Sequence, residues 1–119
     1  MGNDLKTLET LTSKPGQLPR EAIKDSWEIL SKNVIETAKL FGFRRDEEDG
    51  SDLKQAVYFL SLDVLGSQGL MTDMYALKTA LEEVEKKPDA DVSAKDAEVF
   101  VRSCMTVLRR LLQSLEGDR

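Results

Sequence analysis

The chain has no histidine, a single cysteine (Cys104) and three prolines among its 119 residues. Without histidine it cannot supply a Ser-His-Asp or Cys-His catalytic arrangement, a HExxH zinc site or a phosphorelay histidine. One cysteine cannot form an internal disulfide or a CxxC pair, which fits a reducing compartment. We therefore expect a cytoplasmic protein that carries no histidine-dependent hydrolytic chemistry, and no cofactor is predicted.

Long apolar runs are also missing. The most apolar stretch, residues 56–65, includes Ser61 and Asp63, whereas a membrane-spanning helix needs about 20 consecutive apolar residues. The N-terminus shows no apolar region behind a basic start, the pattern that marks a secretory signal. The sequence therefore predicts neither a membrane span nor a secretory leader, and we expect no membrane partner.

Charge of one sign is not concentrated anywhere in the chain. Seventeen Lys and Arg residues against 22 Asp and Glu residues give a formal net charge of −5. Binding to nucleic acid by phosphate neutralisation needs a clustered cationic surface. No basic run is longer than a pair such as Arg44-Arg45 or Arg109-Arg110, so we expect no nucleic-acid partner.

Apolar residues recur at intervals of three and four in four long segments, and no segment alternates in the way that is typical of strands. The pattern predicts an all-α fold, a bundle of about four main amphipathic helices over residues 19–119. An N-terminal arm with a short helix, residues 1–18, precedes it. Turn residues separate the segments at Pro15-Gly16, Gly42, Gly66–Gly69 and Pro88.

Three local features of these helices are specific enough to test. The helix that begins at Pro19 is expected to end at Gly42 in a left-handed conformation. The next helix, over residues 52–65, is apolar nearly all the way round, which predicts a central position. In the last helix, Ser93 and Asp96 have the spacing of a capping box. The predicted core stripe of the Pro19 helix consists of Ile23, Trp27, Leu30, Val34 and Phe41.

The helix over residues 52–65 and the last helix have wider apolar arcs than two neighbouring helices cover. This surplus favours a homodimer in which the two copies share the surface. Leu112, at the edge of the arc of the last helix, is the residue that we assign to this interface. The alternative is that the N-terminal arm covers the surplus.

A second candidate surface is the cluster Leu70, Met71, Met74 and Tyr75, which follows the Gly66–Gly69 turn. Flexible thioethers beside an amphipathic aromatic side chain suit an adaptable protein contact. These four residues are the candidates for binding a partner, and Met71 and Tyr75 are the informative pair among them. The alternative is that they belong to the bundle core, which Met74 joins through its helical spacing.

Two acidic patterns match metal motifs only in part. Residues 46–50 have the sequence Asp-Glu-Glu-Asp-Gly, which resembles part of a calcium-binding loop with Gly50 as its glycine. In that register Arg45 takes the position of the first ligand and Ala56 takes the position of the bidentate glutamate, so both ligands are missing. Glu82 and Glu85 form an ExxE pair, yet no ExxD motif follows. Both patterns are interpreted as solvated acidic surface.

The remaining polar candidates are single residues. Asp63 is the only charge in the most apolar stretch, and with Asp73 or Glu82 it is a weak candidate for a divalent-metal site. Cys104 lies on an apolar stripe, where burial suppresses thiolate chemistry. On the outer side of the last helix, Arg102, Arg109 and Arg110 form a cationic face that is interpreted as solvated, with binding of an anion or an acidic segment as the alternative.

The sequence therefore predicts a non-enzymatic protein-protein interaction module. An adaptor, an inhibitor and a subunit of a larger assembly are equally compatible with it, and its partner is another protein, a second copy, or both. The alternative is a helical enzyme that binds a small molecule or a divalent metal through helix-borne carboxylates.

Overall fold

The structure is a computed structural model that describes residues 6–8, 10, 18–44 and 52–117. These residues are mostly helical and include no strand, which confirms the predicted all-α bundle. We call the short helical segment at residues 6–8 and 10 α1. The other elements are α2 (Pro19–Leu40), α3 (Asp52–Phe59), a π-helical segment (Leu60–Leu65) that continues α3, α4 (Gly69–Lys86), a 3-10 turn (Asp89–Asp91) and α5 (Ala94–Gly117).

The four long helical elements form a four-sided bundle. Helix α2 packs most extensively against α5 and also against α3, while α4 packs against α5 on one side and against α3 with the π-helical segment on the other. Arg20, in the first turn of α2, donates hydrogen bonds to the carbonyl oxygens of Val84 (3.1 Å) and Lys87 at the end of α4. Helix α2 therefore begins where α4 ends.

The predicted helix boundaries are largely confirmed. Pro19 is the first residue of α2, where its missing N–H costs nothing. Gly42 follows α2 with a φ of +103°, and Gly66 closes the π-helical segment in the left-handed conformation with a φ of +62°. Gly69, expected in the turn, is instead the first residue of α4.

The core stripe of α2 is shorter than predicted. Ile23, Leu30 and Val34 are fully buried and Trp27 is partly buried against them. The prediction for Phe41 is wrong, because α2 ends at Leu40 and the Phe41 side chain, just beyond it, is 49% exposed.

The helix over residues 52–65 departs from its predicted pattern at the π-helical segment. A π-helix bonds from i to i+5 and so holds more residues per turn than an α-helix. Within this segment Ser61 is fully buried, whereas Leu62 is 63% exposed and Val64 is only partly buried. The central position belongs to α2, which contacts α3, α4 and α5.

The core is a single cluster of apolar side chains from every helix. Leu8 of α1 is fully buried in it, so the N-terminal helix packs onto the bundle. Helix α2 also buries three polar residues, Ser26, Asn33 and Thr37. None of the helices in the described ranges combines the length and the apolar character that crossing a membrane requires.

Candidate functional site

The four residues predicted to bind a partner do not share one exposed surface. Leu70 and Met74 are buried in the core, because both lie on the inward stripe of α4. Met71 is partly buried, and Tyr75 is 75% exposed. Leu70 and Met74 are therefore core residues of the bundle, and Tyr75 is the one member of the cluster that a partner can reach freely.

Leu112 lies on α5, seven residues and so about two helical turns after Met105. It is partly buried against the core, on the same side of the helix as Met105. A cavity of about 750 Å³ lies beside Leu8 of α1 on this side of α5. Because Leu8 is fully buried there, α1 covers part of the apolar arc that the sequence analysis assigned to a dimer.

A groove runs between α4 and α5, on the flank of α4 opposite Met71 and Tyr75. We call it the α4–α5 groove, and its volume is about 900 Å³. Its apolar lining consists of Ala76, Leu77, Ala80, Val84, Val99, Phe100 and Val107. Its polar and charged lining consists of Asp73, Glu83, Lys87, Asp96, Arg102, Ser103, Thr106 and Arg110.

The groove is open because small side chains face each other across it. Ala76 and Ala80 line the α4 wall, and Ser103 lines the α5 wall. Below them Leu77 and Phe100 are buried in the core. Val99 is 53% exposed although it lies in the groove. The result is an apolar strip that water covers in the isolated chain.

Charged residues stand at both ends of this strip. At one end the Arg110 Nη1 atom lies 3.3 Å from the Asp73 Oδ2 atom. At the other end, hydrogen bonds from Ser93 lower the pKa of the Asp96 carboxyl, and the positive charge of Lys87 adds to this shift. The two pairs show that α4 and α5 run antiparallel, with residue 73 level with 110 and residue 87 near 96.

The cationic face of α5 is divided between the two cavities. Arg102 lines both, and its Nη2 atom lies 2.7 Å from the Glu98 Oε1 atom, one turn earlier on the same helix. Arg109 lines the cavity beside α1, and Arg110 lines the α4–α5 groove. The three arginines therefore do not converge on one anion.

The carboxylates of the alternative enzyme hypothesis lie on the π-helical segment (Asp63) and on α4 (Asp73 and Glu82). No group of three or more Cys, Asp or Glu residues in the described ranges is placed to hold a metal ion. Asp63 and Glu82 are exposed, and Asp73 pairs with Arg110. The acidic stretch at residues 46–50 lies outside the described residues.

Cys104 is fully buried between α5 and α2. Burial raises the pKa of its thiol to about 12, and a hydrogen bond with Ser26 opposes this shift only in part. The thiol is therefore neutral at physiological pH and is a core group, as its position on the apolar stripe predicted.

The sequence analysis did not identify the α4–α5 groove. Its signal is the pair Ala76 and Ala80, one turn apart on α4, together with the exposed Val99 on α5. Comparisons with family models, with curated proteins and with solved structures find no match to the chain. The candidate site is therefore the α4–α5 groove, which is apolar with charged ends, and this geometry suits contact with a helix.

Proposed function

We propose that this chain is a cytoplasmic protein-interaction module and that it binds a helix of its partner along the α4–α5 groove. Helix-in-groove recognition needs an apolar trough that accepts one face of an amphipathic helix, with polar groups at its rim that fix the orientation. The observation that carries the proposal is the exposed apolar strip of Ala76, Ala80 and Val99 above a buried floor.

The small residues of the groove matter for this function. A partner helix approaches most closely where the facing side chains are short, and close approach increases van der Waals contact. Ala76 and Ala80 provide such a wall along one turn of α4. Tyr75, on the other flank of α4, is exposed and lines neither of the two cavities described above.

The experiment compares two variants that place a carboxylate at an exposed apolar position. Val99→Glu puts the charge into the α4–α5 groove, and Leu62→Glu puts it on the π-helical segment, where the side chain is 63% exposed. Tagged wild-type and variant chains are purified gently from the cells of origin, which also express the untagged chain. Co-purified proteins, including that untagged copy, are quantified by mass spectrometry.

We expect Val99→Glu to reduce the bound partner at least tenfold, because a buried unpaired carboxylate opposes association, and Leu62→Glu to leave the partner bound. Circular dichroism checks that both variants are folded. Loss of the partner with Leu62→Glu alone would assign the interface to the surface of Tyr58 and Leu62. Equal recovery with both variants would overturn the proposal.

A further inference from the structure

The inference concerns the identity of the partner and rests on the proposed function. We propose that the occupant of the α4–α5 groove is a second copy of this chain, related to the first by a two-fold axis in the plane of the groove. The second copy presents its own α4–α5 groove face, so the partner helices of the proposed function are the α4 and α5 of that copy. The order of charges at the corners of this face supports this arrangement.

Four charged residues form the corners. Asp73 and Lys87 lie 14 positions apart on the α4 side, and Asp96 and Arg110 lie 14 positions apart on α5. At 1.5 Å per residue, each side is about 21 Å long. Since α4 and α5 are antiparallel, Asp73 stands opposite Arg110 and Lys87 stands near Asp96. Ala80 and Ser103 mark the centre.

The signs at these corners alternate around the rectangle. At one end of the face, Asp73 on α4 is negative and Arg110 on α5 is positive. At the other end, Lys87 is positive and Asp96 on α5 is negative. A two-fold axis along the helices places Asp73 of one copy against Arg110 of the other. A two-fold axis across the helices places Asp73 against Lys87. Every corner meets the opposite sign in both arrangements, so the face is complementary to itself.

The centre of the face agrees with this arrangement. Ala76, Ala80 and Val99 form the exposed apolar strip between the charged corners, and two copies in contact shield both strips from water. With the axis along the helices, Arg102 of one copy and Glu83 of the other stand at heights along the helices that differ by less than about one turn. These two residues add a further pair of opposite charge. This axis is therefore the favoured one.

The experiment uses two oppositely charged double variants of the full chain. Asp73→Lys/Glu83→Lys makes the rim of the groove mostly positive, and Lys87→Glu/Arg110→Glu makes it mostly negative. Both leave Asp96, which caps α5, in place. Sedimentation velocity measures the mass of each variant alone and of their equimolar mixture, and circular dichroism checks that each is folded.

We expect the wild-type chain to dimerise and each double variant alone to be monomeric, because like charges then face each other. The mixture is expected to form a one-to-one heterodimer, detected by native mass spectrometry. Matched controls carry the same charge changes on the exposed face of α2, Glu21→Lys/Glu36→Lys and Lys24→Glu/Lys39→Glu. These control variants are expected to dimerise as the wild-type chain does.

A wild-type chain that stays monomeric up to about 1 mM would overturn the inference, as would double variants that each still dimerise. These results are distinguishable from failure of the proposed function. If the chain is monomeric but Val99→Glu still loses a different protein, the groove binds another partner and only the second copy is excluded. If the chain is monomeric and Val99→Glu loses nothing, both proposals fail.

Discussion

Ser93 and Asp96 exchange two hydrogen bonds across the first turn of α5. The Ser93 N–H donates to Asp96 Oδ2 at 3.1 Å, and the Asp96 N–H donates to Ser93 Oγ at 3.0 Å. This is the predicted capping box, with aspartate in the place of the preferred glutamate or glutamine. The same carboxylate lines one end of the α4–α5 groove beside Lys87. Asp96 therefore both caps α5 and forms a charged corner of the groove.

The capping box predicts a loss of stability on acidification. The hydrogen bonds from Ser93 lower the pKa of Asp96 below its ordinary value of 3.8 in the folded chain. The stabilisation that Asp96 provides is therefore complete above the unfolded pKa and is lost as the pH falls through the lower folded pKa. We expect the urea midpoint of the wild-type chain to fall more steeply below about pH 4 than that of Asp96→Asn.

Glu85→Gln is the control for this comparison, because it removes one exposed carboxylate without touching a cap. Its urea midpoint is expected to follow the wild-type dependence on pH. A midpoint of Asp96→Asn that falls as steeply as that of the wild-type chain would contradict the role assigned to the carboxylate.

The buried Cys104 thiol predicts slow chemical labelling. Its pKa is raised to about 12 by burial, so the reactive thiolate is scarce and the sulfur is shielded from reagents. We expect an aromatic disulfide reagent at pH 8 to label the native chain at least a hundredfold more slowly than the chain in denaturant. Labelling is followed by absorbance. Rapid labelling of the native chain would show that α2 and α5 open readily.

The same thiol predicts a loss of stability at high pH. Since the folded pKa lies above the ordinary value of 9.0, the contribution of Cys104 is complete below about pH 9 and decreases as the unfolded chain ionises above it. Cys104→Ala removes this dependence while keeping a small apolar side chain. Between about pH 7 and pH 10 we expect the urea midpoint of the wild-type chain to fall more than that of Cys104→Ala, so that the difference between the two midpoints decreases as the pH rises. A difference that stays constant over this range would contradict the raised pKa of the thiol.

A buried member and an exposed member of the predicted contact cluster are expected to contribute differently to the free energy of unfolding. Leu70→Ala leaves a cavity in the core, so we expect a loss of about 2–5 kcal/mol in the free energy of unfolding. Tyr75→Ala removes a side chain that is 75% exposed, so the expected loss is below about 1 kcal/mol. Urea denaturation monitored by circular dichroism measures both. Similar losses for the two variants would contradict the burial difference between them.

The sequence was sufficient to predict the helices because each carries an apolar stripe and a local boundary residue. Pro19, Gly66 and Ser93 act through their own backbone or side-chain chemistry, which does not depend on distant parts of the chain. The same helical geometry divides the predicted contact cluster between the core and the surface. Its four residues are close in sequence, but successive residues of a helix point about 100° apart. Leu70 and Met74 therefore lie on the inward stripe of α4, and Met71 and Tyr75 do not.

The π-helical segment and the α4–α5 groove were not predictable in this way. Leu60 and Val64 continue an α-helical spacing, and the burial of Ser61 depends on packing against neighbouring helices rather than on local preference. Periodicity separates inward from outward residues, but it does not say which helix an outward residue faces. Ala76 and Val99 meet in one groove only because α4 and α5 pack side by side.

The π-helical segment Leu60–Leu65 is also the place where this chain can change its length. A helical turn that bonds from i to i+5 holds one residue more than the α-helical turn that would otherwise join the same neighbours. Removal of one residue there returns the backbone to α-helical bonding, whereas the same removal within α2 rotates half of a core stripe away from its partners. A deletion scan along the chain should therefore find its most tolerant helical position between the buried Val57 and the left-handed Gly66.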